Sequence, residues 1–224
     1  MPYSLAIFDL DGTLVDSFPW FRRTINDVAD RFGFRRVAED ELETIRAKST
    51  REILAHLQLP LWKVPAVARH MRRLKAEAAA DTPLFPGVPE MFRRLTDHGI
   101  KLALVTSDSQ VNARRKLGEA ADLVSYYDCA ASLFGKPARF RRVIRRAKID
   151  LKIAKAEIVA IGDEVRDVEA ARSVGIACGS VAWGYAAPQA LRAMQPDFMF
   201  EQMEDIAREL LAAGAPIATT SSAG

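Results

Sequence analysis

The stretch Ala6-Ile7-Phe8-Asp9-Leu10-Asp11-Gly12-Thr13-Leu14 constrains this chain more than any other. An apolar run from Leu5 to Phe8 ends in two carboxylates two residues apart, and a Gly-Thr turn follows. In a strand the side chains of i and i+2 point the same way. Asp9 and Asp11 are therefore expected to leave the carboxyl end of a strand together, where open α/β sheets place their ligand crevice. Two like charges held that close repel, and they need a cation or a proton to coexist. A hard divalent ion with oxygen ligands, such as Mg²⁺, meets that need.

Three further chemical elements follow in chain order. Thr106-Ser107 comes straight after the apolar run Leu102–Val105. A hydroxyl and the N–H groups of a strand-to-helix turn can hold a phosphoryl oxygen, although with Asp108 the same residues could simply cap the next helix. Gly135-Lys136-Pro137 fits a fixed cation at the opening of a helix, since proline suits a first turn. In Ile161-Gly162-Asp163-Glu164-Val165-Arg166-Asp167 one acid ends a strand and another lies four residues on. The two can face one cation, or can serve the N-terminus of a helix.

Between these elements, strand-like and helix-like segments alternate. Strands are expected at Leu5–Phe8, 101–105, 123–129, 158–161, 178–182 and 198–200. Helices are expected through Met91 and Leu95, over 109–117, over 140–147 and over 167–174. From about Trp20 to Asp81 the pattern is almost wholly helical: Phe21, Ile25, Val28, Ala29 and Phe32 recur at helical spacing before Gly33. Ser49-Thr50-Arg51-Glu52 offers a cap for a second helix, and Pro60 and Pro65 punctuate a third that runs toward Ala80. Alternating strands and helices imply a parallel sheet with right-handed crossovers. The expected organisation is an α/β, Rossmann-like three-layer core (1–16 and 82–211) interrupted by an all-helical cap (17–81). The Ala/Ser/Thr-rich tail 212–224 is expected to be disordered.

The four elements, taken in order, resemble the haloacid dehalogenase-like hydrolase superfamily. Its first motif has the form Asp-x-Asp-Gly-Thr/Val, matched by Asp9-Leu10-Asp11-Gly12-Thr13. The similarity is greatest to the phosphoglycolate-phosphatase-like branch with a helical cap, and it extends to 168–175 and to Val181-Ala-Trp-Gly-Tyr185. The resemblance implies a Mg²⁺-dependent phosphatase acting on a small phosphorylated metabolite, phosphoglycolate-like or a sugar phosphate, through an aspartyl-phosphate. By the same resemblance Asp9 is the nucleophile, and Asp11 is general acid, then base. Thr106 and Ser107 hold the transferring oxygens, and Lys136 neutralises charge. Asp9, Asp163, Asp167 and the Asp11 carbonyl bind the metal. Glu164 departs from the family's pattern, where a small hydroxyl residue is common, and adds negative charge near that metal.

The cap is expected to select the leaving group. Residues 17–81 carry 13 Lys/Arg against 9 Asp/Glu, which favours a further anionic group on the substrate. Arg46, Lys48 and Arg51, with Gly12 and Ser107, are the expected substrate contacts.

Other chemistries fit to different degrees. A 2-haloacid dehalogenase has no need of a second acid, and Asp11 is present. A phosphoglucomutase-like phosphotransferase shares all four elements. A phosphonatase requires a cap lysine, and nothing distinguishes Lys48, Lys63 or Lys75 for that role. A receiver-type signalling domain carries its reactive Asp later in the chain, with no cap. The net charge of +3 over 224 residues is too small to argue for nucleic acid. No run approaches a membrane span of ~18 apolar residues. Two cysteines without a C-x-x-C, and three scattered histidines, speak against a disulfide scaffold or a zinc site. A cytoplasmic enzyme, monomeric or homodimeric, is expected.

Overall fold

The computed structural model describes residues 3–48, 50–78, 82–129 and 135–213. Six parallel strands form one sheet: β1 (Leu5–Phe8), β2 (Lys101–Thr106), β3 (Val124–Cys129), β4 (Ile158–Gly162), β5 (Ala177–Val181) and β6 (Phe198–Phe200). Their order is β3-β2-β1-β4-β5-β6. β1 is central, with Ile7 opposite Ala103 of β2 and Ala160 of β4. It is covered on both faces, which is why it reads as an unbroken apolar run and not as an alternation.

Between β1 and β2 the chain forms α1 (Phe18–Phe32), α2 (Leu42–Arg46), α3 (Thr50–His56) and α4 (Val64–Glu77), then α5 (Val88–Asp97). After β2 come α6 (Gln110–Leu117), α7 (Lys136–Leu151), α8 (Val165–Val174), α9 (Pro188–Ala193) and α10 (Met203–Ala212). The two faces of β1 divide by its period of two. Ala6 and Phe8 pack with Met91, Phe92 and Leu95 of α5 and with Ile206 and Leu210 of α10. Leu5 and Ile7 pack with Phe140, Val143 and Ile144 of α7 and with Val168 and Ala171 of α8. The result is a three-layer, Rossmann-like α/β fold.

Helices α1 to α4 have an apolar cluster of their own, built from Ile25, Val28, Phe34, Leu54, Leu57, Val64 and Val67 among others. Gly33 takes the left-handed conformation that ends α1, as its sequence position suggests. The segments that leave and rejoin the sheet layer are tied together. Asp16 N–H donates to the Pro83 carbonyl at 2.8 Å, and Phe85 N–H donates to the Leu14 carbonyl at 2.9 Å.

Some expectations are corrected. α7 begins at Lys136, one turn earlier than its apolar pattern starts, because Pro137 fits the first turn. α9 and α10 were not anticipated. Ala212, assigned to the tail, ends α10, whose buried Met203, Ile206, Ala207 and Leu210 follow helical spacing. Ser49, the end of the third inserted helix near Ala80, and 214–224 lie outside the described residues.

Candidate active site

The carboxyl ends of β1, β2 and β4 converge on one crevice. Asp9 is anchored by its own N–H, which donates to the Ile161 carbonyl of β4 at 2.9 Å. The side chain of Asp9 is buried, and Lys136 Nζ lies 3.0 Å from Asp9 Oδ2. The same ammonium pairs with Asp167. Burial raises the proton affinity of Asp9, the Lys136 charge opposes this, and Asp167 adds to the rise; the balance is upward. Burial would deprotonate Lys136, but Asp167 and Asp9 outweigh it and hold the amine charged.

Asp163 is fully enclosed. Its Oδ1 accepts from Thr13 Oγ1 at 2.8 Å, and its Oδ2 accepts from the Tyr185 N–H at 2.7 Å. Both bonds depend on close backbone approach. Gly12 has φ +80°, and a Cβ there or at Gly184 would overlap the Asp163 carboxyl. Burial, then the charges of Glu164, Asp9 and Asp167, push the Asp163 carboxyl well up. Asp167 Oδ2 accepts from the Glu164 N–H at 3.1 Å, so the N-terminus of α8 fixes it.

Oxygen atoms of Asp9, Asp163 and Asp167 lie within 4.8 Å of one another. An all-oxygen set of buried, mutually repelling carboxylates fits a hard divalent cation such as Mg²⁺. Glu164 stays outside this set. Its carboxylate accepts from Arg166, while its charge still helps to raise the Asp163 carboxyl.

Asp11 is placed differently from its neighbour Asp9. Its carboxylate pairs with Lys75 of α4 and lies 3.5 Å from Lys116 Nζ of α6. Burial would raise its pKa, but the two lysines overcome this and hold it below the usual carboxylate range. Lys116 is itself buried and held by Asp108 at 3.1 Å. Lys116 was not singled out from the sequence, and Lys75 was named there only as one of three undistinguished cap lysines. No local motif marks them, and only the fold brings α4 and α6 to the end of β1.

Thr106 is buried at the end of β2. Its Oγ1 accepts from the Asp108 N–H at 3.1 Å, so its own proton remains to be donated. Its carbonyl accepts from Arg139. Ser107 and Asp11 line the same 270 Å³ cavity between the sheet layer and the inserted helices.

The three expected cap contacts separate. Arg46 is a brace: Nε donates to the Tyr185 carbonyl at 3.1 Å and Nη2 to the Gly184 carbonyl at 3.0 Å. Its guanidinium also lies over the Phe18 ring and pairs with Glu43. Lys48 and Arg51 line a second cavity of 410 Å³, beside Glu164 and Arg166.

Comparison with known proteins bears on the family and the fold. The sequence profile of the haloacid dehalogenase-like hydrolases matches residues 6–181. The phosphoglycolate phosphatase of Synechococcus elongatus is 30% identical over 202 residues, covering 89% of this chain and 93% of that protein. The phosphoglycolate phosphatase of Xanthomonas campestris is 29% identical over 80% of this chain and 83% of its own length. A haloacid dehalogenase-like hydrolase from Streptococcus pneumoniae superposes with a TM-score of 0.72 at 20% identity, over 92% of this chain and 98% of that one. With its paired acids after β1, its lysine at α7 and its acid pair at the start of α8, this chain belongs to the haloacid dehalogenase-like hydrolases.

Proposed function

We propose that the protein is a Mg²⁺-dependent phosphatase that hydrolyses the phosphate monoester of a small metabolite through an aspartyl-phosphate on Asp9. The observation that carries this reading is the setting of Asp9: a buried carboxylate with an ammonium at 3.0 Å and two further buried acids beside it. An anionic nucleophile facing an anionic ester needs cations, and the site supplies one and can bind another.

Asp9, Asp163 and Asp167 would hold Mg²⁺, with the carbonyl of Asp11 as a further family-implied ligand. Bound there, Mg²⁺ supplies positive charge to offset the phosphoryl oxygens and the carboxylates. Asp9 attacks phosphorus, and the bond from phosphorus to the leaving oxygen breaks. Asp11 gives that oxygen a proton, then takes one from the water that cleaves the aspartyl-phosphate to inorganic phosphate. Thr106 and Ser107 orient the transferring oxygens, and Lys136 balances the charge on Asp9. The inserted helices act as a cap over the leaving group.

No helix among the described residues is long and apolar enough to cross a membrane. A cytoplasmic location belongs to the same reading, supported by two unpaired cysteines, Cys129 and Cys178.

The test is phosphate release from a panel of phosphate monoesters, with Mg²⁺ and with chelator, for the wild type and Asp9→Asn. Mg²⁺-dependent release that falls at least about 10⁴-fold in the variant supports the reading. Equal release by both proteins overturns it. Phosphate returned to a sugar instead of to water would identify a phosphotransferase.

A further inference from the structure

The cavity that reaches Asp11 has an unexpected lining. If Asp11 protonates the leaving oxygen, the leaving group must lie within hydrogen-bond reach of it, and the 270 Å³ cavity among the described residues is bounded by Asp11. Its walls within the cap are mostly apolar, Trp20, Ile25, Phe34, Leu54, Leu57 and Val67 among them, and Arg72 is the one charged cap residue there besides Lys75. The neighbouring 410 Å³ cavity, with Arg46, Lys48 and Arg51, is not lined by Asp11. Lys75 lies at the reacting end, because it is ion-paired with Asp11 itself. Arg166, also in the lining, is paired with Glu164.

We propose that the leaving group is apolar and ring-sized, so that the substrate class is the phosphate monoester of an aromatic or branched aliphatic alcohol. This rests on the phosphatase reading above and narrows it. A carboxylate or a sugar pushed against these apolar walls would lose its water with only Arg72 of the cap to replace it, which is costly. An apolar group gains there instead, by about fourfold in binding per buried methylene. The size is also informative. An apolar cavity of about 150 Å³ accepts benzene, so 270 Å³ takes a ring with a short linker, roughly ten heavy atoms.

Ethyl phosphate and 2-phenylethyl phosphate test this, because both leave as primary alcohols and differ mainly in apolar bulk. Phosphoglycolate and p-nitrophenyl phosphate complete the set. The expected kcat/KM ratio of 2-phenylethyl to ethyl phosphate is about 100. Ala68 lines the cavity on α4, and Ala68→Leu, a helix-compatible filling of that space, should cut the ratio at least about tenfold. Met71→Ala, at another lining position, should shift preference toward a naphthyl analogue, and it serves if the first variant fails to fold. A ratio within about threefold of one, or a preference for phosphoglycolate over 2-phenylethyl phosphate, overturns the proposal while leaving the phosphatase reading intact. Hydrolysis of none of the four compounds overturns this proposal, and the wider monoester panel then decides the phosphatase reading separately.

Discussion

Lys75, near the end of α4, is ion-paired with Asp11 in the loop that leaves β1. The pair joins the inserted helices to the residue assigned to deliver a proton. Lys116 approaches the other carboxylate oxygen from α6 at 3.5 Å. The Lys75 ammonium also lies 5.9 Å from the Trp20 ring centre, so its position is shared with α1. Asp11 is thus held ionised by one lysine of the cap and one of the core. In the proposed mechanism, a phosphoryl group entering between them would compete for the same cations and so free Asp11 to take up a proton.

Lys75→Met should therefore lower activity without unfolding the protein. Charge-assisted hydrogen bonds are worth about 1.5–3 kcal/mol, so a loss of roughly tenfold or more in kcat/KM is expected. Lys75→Arg should recover part of it. Steady-state kinetics beside a circular dichroism melt would settle the matter. An unchanged kcat/KM in Lys75→Met would mean that the contact has no part in turnover.

The sheet layer and the acids at the ends of β1 and β4 were legible because they are local: an apolar run followed at once by carboxylates. Lys136 was legible through the family resemblance, since a lysine before a proline is by itself an ordinary helix opening. Lys75 and Lys116 were not, since helical lysines look alike until the fold brings two of them to Asp11. Arg46 was read by its charge, yet its donors are aimed at backbone carbonyls, which no sequence pattern announces. α10 was missed although Met203, Ile206, Ala207 and Leu210 carry a clear period. Residues 203–211 were placed in the core with no helix assigned, and the Ala-rich run drew only Ala212 into the tail.

The role of Arg46 separates by kinetics. It holds the carbonyls of Gly184 and Tyr185, and the Tyr185 N–H in turn fixes Asp163. Arg46→Ala should lower stability by about 1–2 kcal/mol, or roughly 2–8 °C in Tm. It should also reduce kcat more than it raises KM. A raised KM with kcat and Tm intact would instead make Arg46 a substrate contact, as its sequence position first suggested.

The three-acid cluster should respond to metal as a linked equilibrium. Without a cation, Asp9, Asp163 and Asp167 repel one another in a buried site. A ligand that binds only the folded state at about 100 times its Kd adds about 2.7 kcal/mol, which is roughly 5–10 °C for a chain of this size. Mg²⁺ should raise the Tm of the wild type by that order, and Asp163→Ala should abolish the rise. A thermal shift that persists in the variant would move the metal site elsewhere.

Asp128 offers a pH test independent of the catalytic acids. It accepts from Arg139 Nε at 3.1 Å and from Arg142 Nε at 2.7 Å, and its carbonyl accepts from Arg139 Nη2 at 2.7 Å. Arg139 also reaches the Thr106 carbonyl, so the cluster braces the ends of β2 and β3 beside the crevice. Burial raises the Asp128 pKa, but the hydrogen bonds from Arg142 and Arg139 outweigh it and leave the carboxyl below its ordinary value. A carboxyl with a depressed folded pKa stabilises the protein above its unfolded pKa of about 3.9. That stability is lost as pH falls through the folded value. Asp128→Asn should thus cost about 2 kcal/mol at pH 7, and the gap to the wild type should narrow steadily below about pH 4. Urea midpoints of both proteins at pH 7 and pH 3 measure it. A gap that is the same at both pH values would mean that the bonds act through shape alone and the charge on Asp128 contributes nothing.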